Sequence, residues 1–396
     1  MTITLPAQPH SANHRQNFPA LANKNYFNFG GQGTLPNSAL NTINKAYTHI
    51  QQQGPFGLQI GDWIVEQIAL TRKAIAQELG TNPSTITITE NVTAGCNIAL
   101  WGIDWQPGDH ILLGDCEHPG VMATVREISR RFQVEVSLCP IMATLNEGDV
   151  VDVVANHLRD NTKLLVTSHV FWNTGQVLPI ADITKLCHNH SPKPVQVLVD
   201  GAQSVGCLPL DLSTLGADFY AFTGHKWWCG PEGVGGLYVR PEALETISPT
   251  FIGLRGIVRD RQDKFKGWKS DSRRFEISTS ACPLYMGLSS AITTHQEYGT
   301  AQERYEQICQ LSNYLWQSLS QLEEVECLRT SPPESGIVSF QFTNGIDHNK
   351  LVKSWEEKSF LLRTLKNPDC IRACVHYFTL PEEIDNLIEE IKMSNQ

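Results

Sequence analysis

Strand-like and helix-like segments alternate from about Tyr26 to about Val239, over more than half of the chain. Short apolar runs rich in β-branched residues predict strands, and amphipathic segments between them predict helices. Because parallel strands are joined by long crossovers that are usually helical, the alternation predicts a mainly parallel, helix-covered sheet. The predicted strands are 86–89, 110–113, 134–138, 163–167, 195–199, 219–222 and 233–239, and the predicted helices are 121–132, 150–158, 180–188 and one that begins at 96.

The composition shifts after a loop rich in charge and glycine, Arg255 to Lys269. Beyond it the pattern predicts a helical stretch from 289 to 322 that breaks near Gly299, strands at 337–342 and 373–376, and helices at 348–357 and 381–393. This order is typical of a smaller α+β unit. At 396 residues, with 41% hydrophobic and 18% charged residues, the chain is long enough for two domains. We predict a large domain at 20–264 and a small domain at 265–396 that includes residues 1–19.

An acid and a lysine follow two of the predicted strands. Asp200 comes after the strand that ends at Val199, and Lys226 follows the strand that ends at Phe222. Ligands of open parallel sheets bind at the carboxyl ends of the strands. Pyridoxal phosphate (PLP) requires such a pair, since the lysine forms a Schiff base and the acid keeps the pyridine nitrogen protonated. Asp200 alone would fit a turn-capping acid better, but its placement with Lys226 favours the cofactor role.

The neighbours of this pair strengthen the prediction. Gln203 stands three residues after the acid and can point to the phenolate oxygen of the cofactor. His225 and two tryptophans flank Lys226, an improbable setting for a solvated lysine and one that lowers a lysine pKa. The segment Asn91 to Asn97 joins a strand to a helix, so its backbone N–H groups and the Thr93 hydroxyl can bind phosphate. Thr223 and His225 are further phosphate candidates.

His118 lies in a loop after a predicted strand, within Asp115-Cys116-Glu117-His118-Pro119-Gly120. It can stack on a pyridine ring and help to move protons, and a polar loop histidine with no such role fits the sequence equally well. Cys116, Glu117 and His118 are too close in sequence to make a convincing metal site. The sequence therefore predicts no metal.

Charge and cysteine usage exclude some classes of function. The net charge of −10 argues against nucleic acid and anionic membranes as partners, because both need a basic face. No apolar run reaches the roughly 18 residues of a membrane span, and residues 1–19 lack the features of a signal peptide. The eleven cysteines are scattered without a C-x-x-C pair, so most are expected to be free thiols in cores. We therefore expect a cytoplasmic protein.

Several motifs together resemble the class V aminotransferase family of fold-type I PLP enzymes, which includes cysteine desulfurases and selenocysteine lyases. The resemblance covers nearly the whole chain, from Tyr26 to the last helix, and the combination is highly specific for the family. The motifs are Thr93-Ala94-Gly95, Glu117-His118, Asn173-Thr174-Gly175, Asp200-Gly201-Ala202-Gln203-Ser204, Thr223-Gly224-His225-Lys226, Arg274-Phe275-Glu276, Thr279 and Cys370-Ile371-Arg372-Ala373.

The resemblance implies a fold-type I architecture, with a mainly parallel seven-stranded sheet in the large domain, and a role for each site residue. Lys226 is implied as the Schiff-base lysine, Asp200 as the partner of the pyridine nitrogen and Gln203 as the partner of the phenolate oxygen, with His118 on the ring. Arg372 is implied to bind the substrate carboxylate in a bidentate fork, helped by Asn173, with Arg363 near a second carboxylate. The implied phosphate ligands are Thr93, Ala94, Thr223 and His225, with Thr279 reaching in from the partner subunit of a homodimer.

Three segments further resemble the cyanobacterial-type subgroup of C–S lyases that act on L-cysteine and L-cystine: Phe29–Gly33, Trp172–Pro179 and Leu362–Cys374. Cysteine desulfurases of the family place a nucleophilic cysteine on a loop before the carboxylate arginine. Here that region, Lys358–Arg363, has no cysteine, and Cys370 lies only two residues before the arginine. The resemblance therefore implies β-elimination from cystine or cysteine to pyruvate, ammonia and cysteine persulfide or sulfide.

Two alternatives stay open at this point. A cysteine desulfurase or selenocysteine lyase would release alanine instead of pyruvate. A non-catalytic sulfur carrier on the same fold is the alternative from another class, and the intact Lys226 and Asp200 argue against it. For the lyase, the expected partners are cystine or cysteine, a second copy of the chain and an iron–sulfur acceptor protein, with sulfur going to iron–sulfur cluster assembly.

Overall fold

The structure is a computed structural model that describes residues 9–394; residues 1–8 and 395–396 of the predicted small domain lie outside this range. The helices are α1 (Pro9–Arg15), α2 (Asn37–Gln53), α3 (Leu58–Glu78), α4 (Val92–Gly102), α5 (Pro119–Phe132), α6 (Val150–His157), α7 (Ile180–His188), α8 (Leu212–Leu215), α9 (Cys282–Tyr298), α10 (Ala301–Leu319), α11 (His348–Glu357) and α12 (Pro381–Ser394). The strands are β1 (Asn25–Tyr26), β2 (Ile86–Thr89), β3 (His110–Gly114), β4 (Glu135–Cys139), β5 (Thr162–Ser168), β6 (Gln196–Asp200), β7 (Phe219–Thr223), β8 (Gly235–Val239), β9 (Ile257–Arg259), β10 (Phe265–Trp268), β11 (Val325–Cys327), β12 (Ile337–Phe342), β13 (Phe360–Leu361), β14 (Arg363–Lys366) and β15 (Asp369–Cys374).

A seven-stranded sheet in the order β2-β8-β7-β6-β5-β3-β4 forms the centre of the large unit. Its strands pair in parallel except β8, which runs antiparallel to both β2 and β7. Both faces are buried: on β6, Val197 and Val199 belong to one apolar cluster and Leu198 to another. This double burial explains the continuous apolar runs. The predicted α/β fold with a mainly parallel, helix-covered sheet is confirmed.

The strand directions place the functional loops along one edge of this sheet. Because β2 and β7 are each antiparallel to β8, β2 runs in the same direction as β3, β5, β6 and β7. The carboxyl ends of these strands therefore lie on one edge, where open α/β sheets bind ligands. Asp200 is the last residue of β6, and Lys226 follows β7 by three residues.

The smaller unit contains a four-stranded antiparallel sheet in the order β11-β12-β15-β14. Apolar residues of this sheet share one buried cluster with residues of α10, α11 and α12. The predicted α+β unit is thus present. The domain boundary at residue 264 stays a prediction; it falls at the hairpin turn between β9 and β10. Among residues 9–394, no helix is long and apolar enough to cross a membrane.

Several predicted elements differ from the structure. The helix expected from Cys96 begins at Val92, because the side chain of Asn91 caps it there. The helix expected from Ser289 begins at Cys282, because Pro283 is tolerated in the first turn of a helix although it suggests a break in the pattern. The strand expected at 373–376 is β15, which lies at 369–374; there the polar Asp369 and the charged Arg372 obscure the strand pattern. The loop expected at 255–269 contains the hairpin of β9 and β10.

Candidate active site

A cavity of about 420 Å³ opens where the carboxyl edge of the large sheet meets the small unit. Eight of the residues predicted from the sequence line it. They are Thr93, His118, Asp200, Gln203, His225, Lys226, Arg363 and Arg372. Six of the eight lie at or after the ends of four strands of the large sheet, β2, β3, β6 and β7, and two come from the small antiparallel sheet, so the site brings together distant parts of the chain.

Lys226 lies in this cavity with no hydrogen-bond or ion-pair partner for its Nζ within residues 9–394. Removal of the ammonium group from water lowers the pKa of Lys226 to about 8; Asp200 opposes the shift, and Arg372 and Arg363 add to it. A lysine with a lowered pKa has a larger fraction of neutral amine, which is the form that attacks carbonyl groups and accepts protons.

Asp200 is buried at the end of β6. Its Oδ1 accepts a hydrogen bond of 2.9 Å from the backbone N–H of Ala202. Burial raises the pKa of Asp200, while that hydrogen bond and the nearby Lys226 and His118 lower it. The second carboxylate oxygen has no hydrogen-bond partner among the described residues, so it is free to bind a cationic N–H group in the cavity.

His118 caps the first turn of α5, where its Nδ1 accepts a hydrogen bond of 3.2 Å from the N–H of Gly120. This assigns the ring proton to Nε2, which is the nitrogen left for a ligand. Partial burial lowers the pKa of His118, and Lys226 and Arg363 lower it further against the effect of Asp200. The ring also contacts Trp172 edge-on, with centroids 6.4 Å apart.

The amino end of α4 forms one end of the cavity. Asn91 is the N-cap, and its side chain accepts from the N–H of Ala94 at 3.0 Å. Asn91, Val92 and Thr93 line the cavity, so the positive end of the helix dipole faces it and favours an anion. Ala94 instead lines a neighbouring cavity of about 370 Å³, with which the site shares Thr93.

Of the two further phosphate candidates, His225 lines the cavity and Thr223 does not. Thr223 is buried and outside the cavity lining, and its Oγ1 is 2.6 Å from Nδ1 of His225. Burial lowers the pKa of His225 to about 4, with a further contribution from Lys226. His225 is therefore a neutral hydrogen-bonding group at physiological pH.

Two arginines from the small sheet also line the site. Arg372 is buried; its Nη1 donates to the Trp172 carbonyl at 2.8 Å, and its Nη2 to Asn28 Oδ1 at 3.3 Å. Its Nε has no partner among the described residues, so unpaired N–H groups remain. Arg363 also lines the cavity, and unlike Arg372 it is exposed to solvent.

Asn173 and Thr279 do not line the cavity. Asn173 is buried, with its Nδ2 donating to the Asn367 carbonyl at 3.1 Å and its Oδ1 accepting from Cys116 Sγ at 2.9 Å. Thr279 is exposed in the loop before α9 with φ of 58°, next to Ser280 of the neighbouring cavity. Within one chain, therefore, Thr279 is not part of the site.

Glu117 is a buried acid whose role was not predicted from the sequence. Both of its carboxylate oxygens accept 2.8 Å hydrogen bonds from Ser168, one from the backbone N–H and one from the hydroxyl. Burial raises the pKa of Glu117 to about 8, and the charge of Asp200 adds to this. Ser168 lines the cavity at the end of β5. The strand-end position of Ser168 was the available signal, but many strands end in serine.

The charges of the cavity favour anions. Three cationic side chains, Lys226, Arg363 and Arg372, share it with the carboxylate of Asp200, and the raised pKa of Glu117 keeps that nearby group largely neutral. Among residues 9–394, no group of three His, Cys, Asp or Glu side chains could hold a metal ion. The site therefore suits a ligand that carries several negative charges and one cationic N–H group.

Comparison with solved structures gives a close match to a cystine C–S lyase, C-DES. Its complex with the reaction product cysteine persulfide is 52% identical in sequence, with a TM-score of 0.92, and the match covers 94% of this chain and 98% of that chain. A C-DES variant with glycine covalently linked to the PLP cofactor is 51% identical, with a TM-score of 0.93 over 95% of this chain and 98% of that one.

More distant relatives carry other names. The isopenicillin N epimerase of Streptomyces clavuligerus is 26% identical over 385 residues, which cover 92% of this chain and 93% of that protein. The cysteine desulfurase of Haloferax volcanii is 26% identical over 330 residues, covering 78% and 74% respectively. The family profile described as aminotransferase class V matches residues 26–387. The chain belongs to the class V aminotransferase family.

Proposed function

We propose that this protein is a PLP-dependent carbon–sulfur lyase that cleaves L-cystine and L-cysteine by β-elimination. With cystine and water it yields cysteine persulfide, pyruvate and ammonia; with cysteine, sulfide replaces the persulfide. The observation that carries the proposal is the placement of Lys226 and Asp200 in one cavity with two arginines and with no cysteine in its lining. The similarity to C-DES, a cystine C–S lyase seen with cysteine persulfide, supports the same reaction.

The residues present fit PLP. The free amine of Lys226, the open oxygen of Asp200 and the amino end of α4 match the aldehyde, the pyridine nitrogen and the phosphate in chemical type. When bound, PLP would supply an acceptor for the electron pair that the departing Cα proton leaves behind. The proposed phosphate ligands are Thr93, Ala94, Thr223 and His225, with Thr279 supplied by a partner subunit.

The chain's own groups then have distinct tasks. Asp200 holds a proton at the pyridine nitrogen, Gln203 donates to the phenolate oxygen, and His118 covers the ring. Lys226 takes the Cα proton, for which a neutral amine near neutral pH is suited. Arg372 binds the α-carboxylate, with Asn173 behind it, and Arg363 binds the distal carboxylate of cystine. Cysteine persulfide, which leaves from cystine, is a better leaving group at neutral pH than the hydrosulfide that leaves from cysteine.

A cysteine desulfurase that releases alanine is the second candidate, because several relatives at 25–29% identity carry that name. A desulfurase needs a thiolate close to the substrate sulfur. Segment 358–363 has no cysteine, and Cys370 is fully buried in β15. Burial also raises the pKa of Cys370 to about 12, so its thiolate is scarce at neutral pH.

Product analysis separates the two candidates. Purified protein is loaded with PLP and given cystine, cysteine and selenocysteine in parallel, and pyruvate and alanine are both measured. We expect pyruvate and ammonia in equal amounts, with Lys226→Ala as the inactive control. If alanine is the main product from cysteine, the desulfurase proposal replaces the lyase proposal. If no substrate gives a product, both proposals are rejected.

We further propose a cytoplasmic homodimer with shared active sites, whose persulfide supplies sulfur for iron–sulfur cluster assembly. The supporting features are the exposed Thr279, which lies outside its own cavity, and the exposed side chains of Phe251, Ile252 and Leu254. This apolar segment packs close to the loop of Thr279, because a Cβ added at Gly253 would lie 2.9 Å from the backbone nitrogen of Ser278, and exposed apolar patches mark interfaces. Sedimentation should give a dimer, and Thr279→Ala should weaken PLP binding. A fully active monomer would contradict the shared site.

A further inference from the structure

Trp227, the residue after the catalytic lysine, is hydrogen-bonded to the glutamine of the neighbouring motif. Its indole Nε1 donates to Gln203 Oε1 at 2.9 Å, and Gln203 Nε2 donates to the Gly30 carbonyl at 2.9 Å. Both side chains are buried. Trp227 thus connects the loops that follow two neighbouring strands, β6 and β7.

This contact decides which way the carboxamide of Gln203 faces. An indole N–H can only donate, so the atom that faces it must be the oxygen. The amide nitrogen then faces Gly30, whose carbonyl accepts a hydrogen bond from one of its two N–H groups. The remaining N–H is left for a group in the cavity that Gln203 lines. If the amide flipped, Nε2 would meet the indole N–H and Oε1 would meet the Gly30 carbonyl, and both hydrogen bonds would be lost.

Contacts on two sides fix the position of the Trp227 side chain. His376 Nε2 donates to the Trp227 carbonyl at 2.9 Å, and the two rings stack with centroids 5.8 Å apart. His376 Nδ1 accepts from the N–H of Tyr377 at 3.1 Å, which assigns the proton to Nε2. On the other side, a Cβ added at Gly336 would lie 2.6 Å from the indole ring, so the ring has no room to move there.

We propose that Trp227 is a positioning residue that presents the Gln203 amide as a hydrogen-bond donor to the cofactor's phenolate oxygen. The inference rests on the proposed function, because it requires PLP in this cavity. A donor to the ionised oxygen favours that ionised form and lowers the pH at which the bound cofactor loses its proton. Without the indole N–H, Gln203 Oε1 has no partner among the described residues, and the amide loses its fixed orientation.

Trp228 offers a matched control. It is as buried as Trp227, at 1% exposure against 0%, but its indole Nε1 has no hydrogen-bond partner within residues 9–394. Trp228→Phe therefore removes an indole N–H from the adjacent position without removing a hydrogen bond. Loss of aromatic volume is the same in both variants, so a difference between them reports the hydrogen bond to Gln203.

The test is an absorbance titration of PLP-loaded protein against pH. We expect Trp227→Phe to raise the midpoint of the cofactor's absorbance change by about 0.5–1 pH unit, the equivalent of one neutral hydrogen bond, with Trp228→Phe at the wild-type value. Gln203→Leu should raise it by at least as much, and adding Trp227→Phe to Gln203→Leu should change nothing more. Should Trp227→Phe fail to fold, a benzothiophene analogue of tryptophan at this position keeps the ring and lacks the N–H.

The outcomes distinguish this inference from the proposed function. A wild-type protein with no cofactor absorbance would reject the PLP site itself. If Trp227→Phe has the same titration midpoint as the wild-type protein, the positioning role is overturned and the lyase proposal stays intact. A further shift in the Gln203→Leu background would also overturn it, because Trp227 would then act on the cofactor by another route.

Discussion

Arg363 on β14 and Arg372 on β15 are directly paired across the two antiparallel strands, and both side chains line the same cavity. Like charges placed opposite each other destabilise a sheet, and here Lys226 adds a third positive group. The pairing is therefore costly unless an anion lies between or beside the guanidinium groups. A substrate with two carboxylates, such as cystine, meets that condition better than one with a single carboxylate.

The first prediction concerns these arginines. Arg372→Lys should lower kcat/KM for cystine and cysteine alike, by an amount that corresponds to about 2–5 kcal/mol, because an ammonium group cannot form a planar fork on a buried carboxylate. Arg363→Lys should reduce turnover of cystine more than that of cysteine, since only cystine has a distal carboxylate. Steady-state kinetics on both substrates check this. If Arg363→Lys lowers kcat/KM equally for cystine and cysteine, Arg363 does not bind the distal carboxylate.

The second prediction concerns Lys226. Lys226→Ala should bind PLP non-covalently and lose turnover, because the cavity keeps its other ligands but loses the amine and the base. Borohydride reduction of the wild-type protein followed by peptide mapping should place the cofactor on Lys226. Attachment to another lysine of the chain would show that the assignment is wrong.

The third prediction is that Cys370→Ser retains most of the pyruvate-forming activity. Cys370 is fully buried, and burial raises the pKa of its thiol to about 12, so it is poorly suited to attack sulfur. β-Elimination needs only a base, an electron acceptor and a path for the departing thiolate. Some loss is expected from altered packing near Arg372. Collapse of turnover with PLP binding intact, together with alanine as the wild-type product, would favour the desulfurase.

The fourth prediction concerns acid stability and a buried chain of hydrogen bonds from α1. His14 Nε2 is 2.9 Å from the Tyr377 hydroxyl, which is 2.6 Å from His295 Nδ1, and His295 Nε2 is 2.8 Å from the Trp228 carbonyl. Burial lowers the pKa of His14 from 6.5 to about 4, and the nearby His10 and Arg304 add to this. Between these two values the unfolded chain binds more protons than the folded one, so stability falls as the pH falls through this window.

Each such histidine changes the free energy of unfolding by at most about 1.4 kcal/mol per pH unit. His14→Gln keeps an N–H donor for Tyr377 and cannot be protonated, so it should flatten the slope of the apparent unfolding free energy between pH 6.5 and about 4. Urea unfolding of the apoprotein at several pH values in the window measures it. His49→Gln, at a partly exposed histidine of α2, is the control, and an unchanged slope for His14→Gln would contradict the prediction.

The sequence was most informative where burial on both sides of the sheet made strands continuous and apolar. Strand β2 and helix α7 match their predicted bounds, and Asp200 lies at the end of its strand as expected. Short edge elements such as β9 and β14 were missed, because few of their residues are buried. The cross-strand pairing of Arg363 with Arg372 depends on the register of a hairpin, which short, mixed strands do not reveal.

The hydrogen-bond partners within the site were also beyond the sequence. The sequence shows Trp227 only as a neighbour of Lys226, whereas its hydrogen bond to Gln203 depends on how the loops after β6 and β7 approach each other. Ser168 and Glu117 meet because β3 and β5 are adjacent in the sheet although 51 residues separate them in the chain. Contacts of this kind follow from topology and not from local pattern.

The distribution of cysteines has a consequence for an enzyme whose proposed product is a reactive persulfide. Nine of the eleven thiols are buried, the partly exposed Cys309 and Cys327 belong to α10 and β11, and none of the eleven lines the cavity. A persulfide formed there is thus released from a cavity that has no thiol in its lining. Transfer of the outer sulfur to the chain is thereby disfavoured inside the site, so the proposed product leaves as a small, diffusible sulfur carrier.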